Sequence, residues 1–482
     1  MPDLDAQVKN EGVRILRLCK DLSEFILSGQ ARKTYLVETE HFLEYIKKSL
    51  EAIDEFVKQT ITKEMPPPLA KVRLKGFDLI REGLSWIYIF VKEAIDADTL
   101  SIPYSLIIFL NYVATELQKP EKVSLVVLGS SDLMYYKYNL KNLRNLTRHI
   151  ASKVIKDYPV LPEDIGVLKF PYCAAQEVLV NCILFHEMGH YIYEKTNLEQ
   201  QFLHDIESNL TTFVQDNKII EELKPKDPDL AFKKLFIYVG GLMSSWADEI
   251  FADIVAIRIL GPAFHFALLV LEQILRTDIK RNRNFSRTHP ADDFRFKIHA
   301  KWLNKGIWDD IIKDRKPDVF DRLKECEKLE FEKEDFSISC EPPLGEDKDL
   351  KEKLHTWMFE EFEKMVVKVE EEALAKTAGQ EPISDFNKNK NESNDSLITK
   401  ALEHGVVPST VYDKKKQKRH PNPTTILNSG FFFYLGNMDS LLEKVESSDS
   451  DIDKRMNYEK RLNQWLAKAI EDWQILLMEN KL

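Results

Sequence analysis

The sequence predicts an α+β fold that is predominantly α-helical and contains a small sheet. Apolar residues recur every three or four positions over long stretches, which is typical of amphipathic helices. Glycine is sparse, with 16 residues among 482, against 27 phenylalanines and 16 tyrosines. Short runs rich in β-branched residues occur within residues 123–170, and they predict the strands of the sheet.

The first 120 residues read as an N-terminal helical domain. Apolar spacing predicts four helices, at residues 6–30, 40–62, 70–96 and 103–118. Pro66, Pro67 and Pro68 separate the second helix from the third, because proline cannot continue a helix that precedes it.

Three strands are expected next, at Val123–Gly129, Tyr135–Tyr138 and Gly166–Phe170. Pro171 follows the last of them and lacks the backbone N–H that a central strand needs, so an edge strand is expected there. An extended peptide can pair with an exposed strand edge. Gly166–Phe170 is therefore a candidate surface for a peptide ligand.

The remaining chain is again helical by its apolar spacing. One helix is expected over residues 172–196, a long helical stretch over 229–275 with interruptions at Gly240–Gly241 and Gly261–Pro262, and another from Pro290. The predicted organisation is a helical domain at 1–120, a core at 121–310, a helical extension at 311–377, a linker or mobile loop at 378–397, and a C-terminal region at 398–482.

Composition excludes several classes of protein. A net charge of −11 argues against a general nucleic-acid binder. The five cysteines are widely spaced, which favours reduced thiols over a disulfide framework. The longest apolar runs are too short to cross a membrane, and the acidic start of the chain does not look like a secretory signal. A cytoplasmic protein is expected, and its oligomeric state stays open.

The clearest chemical motif is His186-Glu187-Met188-Gly189-His190. Residues four apart lie on one face of a helix, so the two imidazoles can bind one metal ion. Glu187 lies one position further round the helix and can serve as a base. The surrounding residues are apolar, and two histidines are costly to bury together unless something binds them.

A third ligand is expected on a later helix, and Glu249 is the candidate. Asp253 lies on the same face, where its carboxylate can accept a hydrogen bond from a metal-bound histidine. The alternative is that both residues form the solvent-facing edge of an amphipathic helix. The remaining histidines, including His265 and His299, lack ligand spacing and are expected on the surface or in the core.

These motifs resemble those of the gluzincin metallopeptidases, and among them the HtpX and CAAX-prenyl-protease group. The resemblance rests on HExxH, on Glu249 with Ala252, Asp253 and Ala256, and on His289-Pro290 followed by Arg295. It covers roughly residues 165–300. It implies a zincin-like core and a Zn²⁺ ion held by His186, His190 and Glu249. Typical members of that group are membrane proteins, and no spanning segment is expected here.

The resemblance also implies a mechanism, the hydrolysis of a protein or peptide substrate by zinc-activated water. Glu187 is then the general base, and Asp253 supports a ligand. His289 is the expected donor to the oxyanion, with Tyr191 and Tyr193 as weaker candidates. A helix-capping role is the alternative for His289, and a structural pairing with an acidic residue is expected for Arg295.

Three functional hypotheses follow. The first is a metallopeptidase that cleaves a regulatory protein in a stress or defence response. The second is a binding or scaffold protein with a structural or catalytically silent zinc site, which the intact Glu187 disfavours. The third is a self-inhibited peptidase whose flanking helices, or residues 378–397, cover the cleft.

Overall fold

The computed structural model is predominantly α-helical with a small sheet, as predicted. It describes residues 4–479 except 98, 100, 120–122, 133, 220–226, 276–283, 304–306, 316, 318, 319, 322, 323, 325–335, 345, 346, 379–393, 413, 414 and 437–449. The described residues form two compact units, Met1–Gln176 and Glu177–Leu482. The division lies within residues 121–310, and the five-part domain organisation stays a prediction.

Four helices begin the first unit: α1 (Leu4–Gln30), α2 (Val37–Ile61), α3 (Pro67–Asp96) and α4 (Tyr104–Gln118). They match the four predicted helices to within three residues at each end. Helix α1 packs against α2 and α3, burying residues at helical spacing such as Ile15, Leu22 and Ile26. Helix α3 begins with Pro67, at a position where the missing N–H would have no intrahelical partner.

The sheet of the first unit has three strands, β1 (Ser124–Ser130), β2 (Tyr136–Tyr138) and β3 (Ile165–Pro171). Helix α5 (Lys141–Lys153) connects β2 to β3. Strand β3 pairs in parallel with β1 and antiparallel with β2. All seven residues of β3 are buried, and helices α2, α3 and α4 contact β1.

The prediction of an edge strand at Gly166–Phe170 is wrong, because β3 lies in the centre of the sheet. Pro171 is the last residue of the strand, where a missing N–H removes little of the ladder. Strand β1 pairs along all of Gly166–Phe170 on one side, and β2 pairs with Val167–Lys169 on the other. A peptide ligand therefore cannot pair with this strand.

The second unit is built around one long helix, α8 (Pro228–Leu260), which contacts α6, α7, α10 and α12. Its other helices are α6 (Leu184–Glu194), α7 (Leu198–Asp216), α9 (Pro262–Leu275), α10 (Asp292–Leu303), α11 (Ile307–Arg315), α12 (Lys348–Lys376), α13 (Asn394–Glu403), α14 (Pro423–Gly436) and α15 (Asp451–Met478). Two small pairs of strands accompany them, β4 (Asn284–Phe285) with β5 (Ser337–Ile338), and β6 (Val411–Tyr412) with β7 (Lys418–Arg419).

The helix expected over residues 172–196 is much shorter, since α6 begins only at Leu184. Short 3-10 turns precede it at Tyr172–Ala174 and Val180–Ile183. Asn463 accounts for part of the difference: it accepts a hydrogen bond from the Leu179 N–H and donates one to the Glu177 carboxylate. These tertiary contacts hold the segment before α6 in a conformation other than an α-helix, although its apolar residues have helical spacing.

Helix α8 runs through Gly240–Gly241, so the predicted interruption there is wrong. A Cβ on Gly240 would lie 3.0 Å from Leu203 of α7, which indicates close helix packing at that point. The interruption predicted at Gly261–Pro262 is confirmed. Gly261 ends α8 with a φ of 62°, a conformation that favours glycine, and Pro262 begins α9.

Residues 379–393 of the expected linker lie outside the described residues, and Asn394 already begins α13. None of the described helices combines the length and the apolar composition needed to cross a membrane.

The cysteines are predicted to differ in reactivity. Cys19 and Cys182 are buried, whereas Cys173 is exposed. Burial raises the pKa of Cys19 to about 12, with a smaller contribution from Asp54, and it also raises that of Cys182. A pKa of about 12 lowers the thiolate fraction roughly a thousand-fold relative to an unperturbed thiol. In a thiol-labelling time course, Cys173→Ser should remove one fast-reacting thiol and Cys19→Ala none. The reverse pattern would contradict the described burial.

Candidate metal centre

Helix α6 places both histidines of the motif on one face. One ligand atom each from His186, Glu187 and His190 lies within 4.8 Å of the others, and the two Nε2 atoms are 3.0 Å apart. His186 and Glu187 are both about 6% exposed. Gly189 lies against α8, where a Cβ would be 2.6 Å from the Cα of Ala252. Glycine thus lets the motif helix approach α8 closely.

Helix α8 brings Glu249 to the same place. Its Oε2 lies 3.3 Å from the Nε2 of His186, and its Oε1 lies 3.4 Å from the Nε2 of His190. Glu249 is only 7% exposed, so it is not on a solvent-facing acidic edge as the alternative held. The structure therefore brings the three expected ligands together.

Each histidine has a carboxylate at its other ring nitrogen. The Nδ1 of His186 lies 2.8 Å from Asp253, as predicted, and the Nδ1 of His190 lies 2.8 Å from Asp248. Asp248 was not identified from the sequence. Its position immediately before Glu249 was the available signal, because a ligand-bearing helix can also carry the partner of the second histidine.

These contacts decide which ring nitrogens carry protons. A neutral imidazole that donates from Nδ1 has a lone pair at Nε2. With both rings neutral, two lone pairs and a carboxylate would face one another at 3.0–3.4 Å, an arrangement that is repulsive unless a proton or a metal ion lies between them. The edge of a tetrahedron with metal–ligand distances of about 2.0–2.1 Å is about 3.3–3.4 Å. The residues fit a tetrahedral zinc ion.

The electrostatics favour a cation at the same point. Burial lowers the pKa of His190, but Asp248 and Glu249 outweigh it and hold the pKa well above its usual value. Burial raises the pKa of Glu249, yet the two histidines hold it well below its usual range. A metal ion would replace the protons that these contacts favour on the imidazoles.

Asp253 is itself held from several sides. Arg295 donates from Nε and Nη2 to its two oxygens, both at 2.7 Å, which confirms the expected pairing of Arg295 with an acidic residue. The Nε2 of His299 lies 3.1 Å from the second oxygen. Burial raises the pKa of Asp253, but Arg295 and His299 hold it well below its usual range. The carboxylate is therefore ionised, with Arg295 as its hydrogen-bond donor and the two histidine nitrogens within 3.1 Å.

His289 lies in a turn at the edge of this site. Its N–H donates to the Ser286 hydroxyl, and the Ser286 carbonyl accepts from the indole N–H of Trp246 on α8, both at 2.8 Å. The side chain is 48% exposed, and its Nε2 lies 3.4 Å from Glu249. Thr288 lies 2.8 Å from Nδ1. If the threonine hydroxyl donates there, Nε2 carries the proton that an oxyanion donor needs.

The weaker oxyanion candidates are placed differently. Tyr191 and Tyr193 are 2% and 5% exposed, and the ring of Tyr193 packs against that of Phe251. These surroundings favour a packing role for both. His265 and His299, expected on the surface or in the core, are both buried; His299 lies next to Asp253 and His265 next to His299.

No model of a known protein family matches this chain, and no curated protein or solved structure matches it either.

Proposed function

We propose that this chain is a zinc-dependent metallopeptidase of the gluzincin type, which hydrolyses peptide bonds of a protein substrate. One observation carries the proposal. Two imidazole Nε2 atoms and the Glu249 carboxylate converge at 3.0–3.4 Å, with the Glu187 carboxylate beside them. The motif resemblance to the HtpX and CAAX-prenyl-protease group supports the same function and a zincin-like core.

His186, His190 and Glu249 would hold the ion. A zinc ion bound there lowers the pKa of a coordinated water towards about 7 and polarises a carbonyl group. Glu187 accepts the proton of the attacking water and then delivers it to the leaving amine. Its position within 4.8 Å of the ligand atoms suits this transfer. Asp248 and Asp253 keep the two imidazoles in the tautomer that leaves Nε2 free for the metal.

His289 would donate a hydrogen bond to the oxyanion that develops on the scissile carbonyl. Burial lowers the pKa of His289, which the opposing effect of Glu249 does not reverse. The ring is therefore neutral near pH 7. Its partial exposure and its position 3.4 Å from a proposed ligand are what a group facing the substrate requires.

The structure also bears on the scaffold alternative. A structural zinc site is normally closed by four protein ligands and has no use for a base. Here an acidic residue, Glu187, stands beside three proposed ligands. The four described cysteines are free, which favours a reducing compartment. We therefore place the peptidase in the cytoplasm, and we propose a regulatory protein as its substrate.

Metal removal tests this proposal. The purified chain should contain about one zinc per molecule, since the arrangement provides one tetrahedral site. A chelator should abolish cleavage of a peptide library, scored by mass spectrometry, and stoichiometric zinc should restore it. His186→Ala is the matched control and should contain little zinc before any chelator is added. Cleavage that persists at full rate in metal-free protein would overturn the proposal.

A further inference from the structure

Two buried histidines adjoin the metal centre without belonging to its ligands. His299 on α10 is fully buried, and His265 on α9 is 3% exposed. Their Nδ1 atoms are 3.1 Å apart, and the Nε2 of His299 lies 3.1 Å from Asp253. A continuous series of polar contacts thus runs from His265 through His299 and Asp253 to His186.

The Asp253 carboxylate determines the proton positions along this series, because it can only accept hydrogen bonds. An ionised carboxylate has no proton to donate, so the tautomer that avoids repulsion at the 3.1 Å contact carries the His299 proton on Nε2. The Nδ1 of His299 is then a lone pair, and His265 must donate to it from its own Nδ1. In this assignment both rings are neutral, and the Nε2 of His299 lies 3.1 Å from the Asp253 carboxylate. Burial lowers the pKa of both histidines, which agrees with this assignment.

The residues around His265 and His299 are largely aromatic, and filling space among them does not require an imidazole. The ring of Phe264 stacks on that of His186 with an interplanar angle of 6°. The Phe264 ring also contacts His299, with 5.5 Å between the two ring centroids. His265 lies edge-on to Phe296. An apolar side chain would fill such a space without the cost of burying polar nitrogens. What the imidazole of His299 adds is a polar nitrogen 3.1 Å from the Asp253 carboxylate.

We propose that His299 and His265 are positioning residues of the metal centre: they fix the Asp253 carboxylate, and through it the His186 ring, in the orientation that metal binding requires. The inference rests on the proposed function, since it assumes that His186 binds the metal. Arg295 holds the carboxylate from one side and His299 from another. Removing His299 leaves Arg295 alone to hold the carboxylate, so the position of the oxygen beside His186 is less tightly fixed.

Substitutions at His299 test the proposal through metal affinity. In His299→Gln the amide nitrogen reaches the position of Nε2 and can still donate to Asp253. His299→Leu has a similar volume and no donor. Loss of a group bonded directly to a metal ligand typically weakens metal binding 10- to 100-fold, and His299 acts one contact further out, so a drop of about 10-fold is expected. Competition with a chromogenic zinc chelator should therefore show that drop in zinc affinity for His299→Leu. For His299→Gln, the logarithm of the fold-change in affinity should be less than half as large.

A second pair covers the case in which His299→Leu does not fold. The amide nitrogen of His299→Asn reaches only the position of Nδ1, so this variant should bind zinc more weakly than His299→Gln although both are polar. The thermal unfolding midpoint of the zinc-free variants reports packing alone. If His299 had a purely structural role, the Gln, Asn and Leu variants would all have a lower unfolding midpoint, but their zinc affinities would not differ from one another.

The outcomes separate this inference from the proposed function. If folded His299→Leu and His299→Asn bind zinc as tightly as the wild type, the positioning role is wrong while the peptidase proposal stands. If the wild type binds zinc and the variants weaken it as expected, yet the wild type cleaves nothing, the positioning role stands and the peptidase proposal fails. Absence of zinc binding by the wild type would overturn both.

Discussion

Replacing Glu187 with glutamine is expected to abolish peptide-bond cleavage while the protein keeps its zinc. Glutamine retains the size and shape of glutamate, so the packing of helix α6 is preserved. Its amide cannot accept a proton from water, and loss of a general base typically costs 10²- to 10⁴-fold in rate, or about 3–5 kcal/mol of transition-state stabilisation. Cleavage of a peptide library and zinc content per chain would be measured on the same preparation.

Glu194→Gln is the matched control for this substitution. It removes the same charge from the same helix, seven residues and about 10 Å further along its axis. This variant should cleave at the wild-type rate. A Glu187→Gln protein that holds zinc and cleaves normally would exclude Glu187 as the base and would favour the scaffold alternative.

Gly189→Ala is expected to destabilise the second unit and to disrupt the metal centre together. The new Cβ would lie 2.6 Å from the Cα of Ala252, a backbone atom that no rotamer change can move. Ordinary contact at about 3.5–4.0 Å requires helices α6 and α8 to separate by about 1 Å. The neighbours of these two residues are His190 and Asp253, so the distances between ligands change as well.

The magnitudes decide the sign of this effect. Alanine gains about 1 kcal/mol over glycine in a helix interior, whereas overpacking costs about 1–3 kcal/mol and a rigid backbone contact lies at the upper end. The cost of the clash therefore exceeds the gain in helix propensity, and Gly189→Ala should be less stable than the wild type. A 1 Å misplacement of catalytic groups can cost about 100-fold in rate. Thermal unfolding and cleavage of the peptide library would both be measured.

Gly241→Ala provides a control of opposite sign. Gly241 lies in helix α8, and a Cβ there would meet nothing within 4 Å. Only the helix propensity changes, so this variant should be more stable than the wild type by about 1 kcal/mol. Equal stability changes at Gly189 and Gly241 would show that the two helices do not touch as described.

Local periodicity was sufficient to predict most of the helices. The first four helices bury apolar residues at helical spacing, as Phe42, Ile46 and Ile53 of α2 do, and that spacing is visible in the sequence. The start of α6 could not be predicted in this way. Its preceding segment has helical spacing, but Asn463, almost 300 residues later, holds Leu179 in another conformation. Long-range contacts of this kind leave no local signal.

The same limit applies to the sheet. Pro171 suggested an edge strand because proline lacks an N–H. The position of β3 between β1 and β2 depends instead on how three distant segments pair. The order of strands is a tertiary property, and a single proline at the end of a strand does not determine it.

The candidate site shows which residues a motif can identify. His186 and His190 are four apart on one helix, and Glu249 with Asp253 repeats that spacing on another. Such pairs are visible in the sequence because a helix fixes their geometry. His299 is 46 residues from Asp253, and His265 is on a third helix. Their contribution depends on the packing of α9 and α10 beside α8, which spacing along the chain does not reveal.

Helix α8 also constrains how the second unit can fold. Its segment from Asp248 to Asp253 carries three carboxylates, of which Glu249 and Asp253 are buried in the native protein. Their partners are histidines on α6 and an arginine on α10. Docking α8 against only one of these helices would bury an uncompensated charge, at a cost of about 3–5 kcal/mol. We therefore expect partly assembled forms to be scarcely populated and the three helices to dock cooperatively.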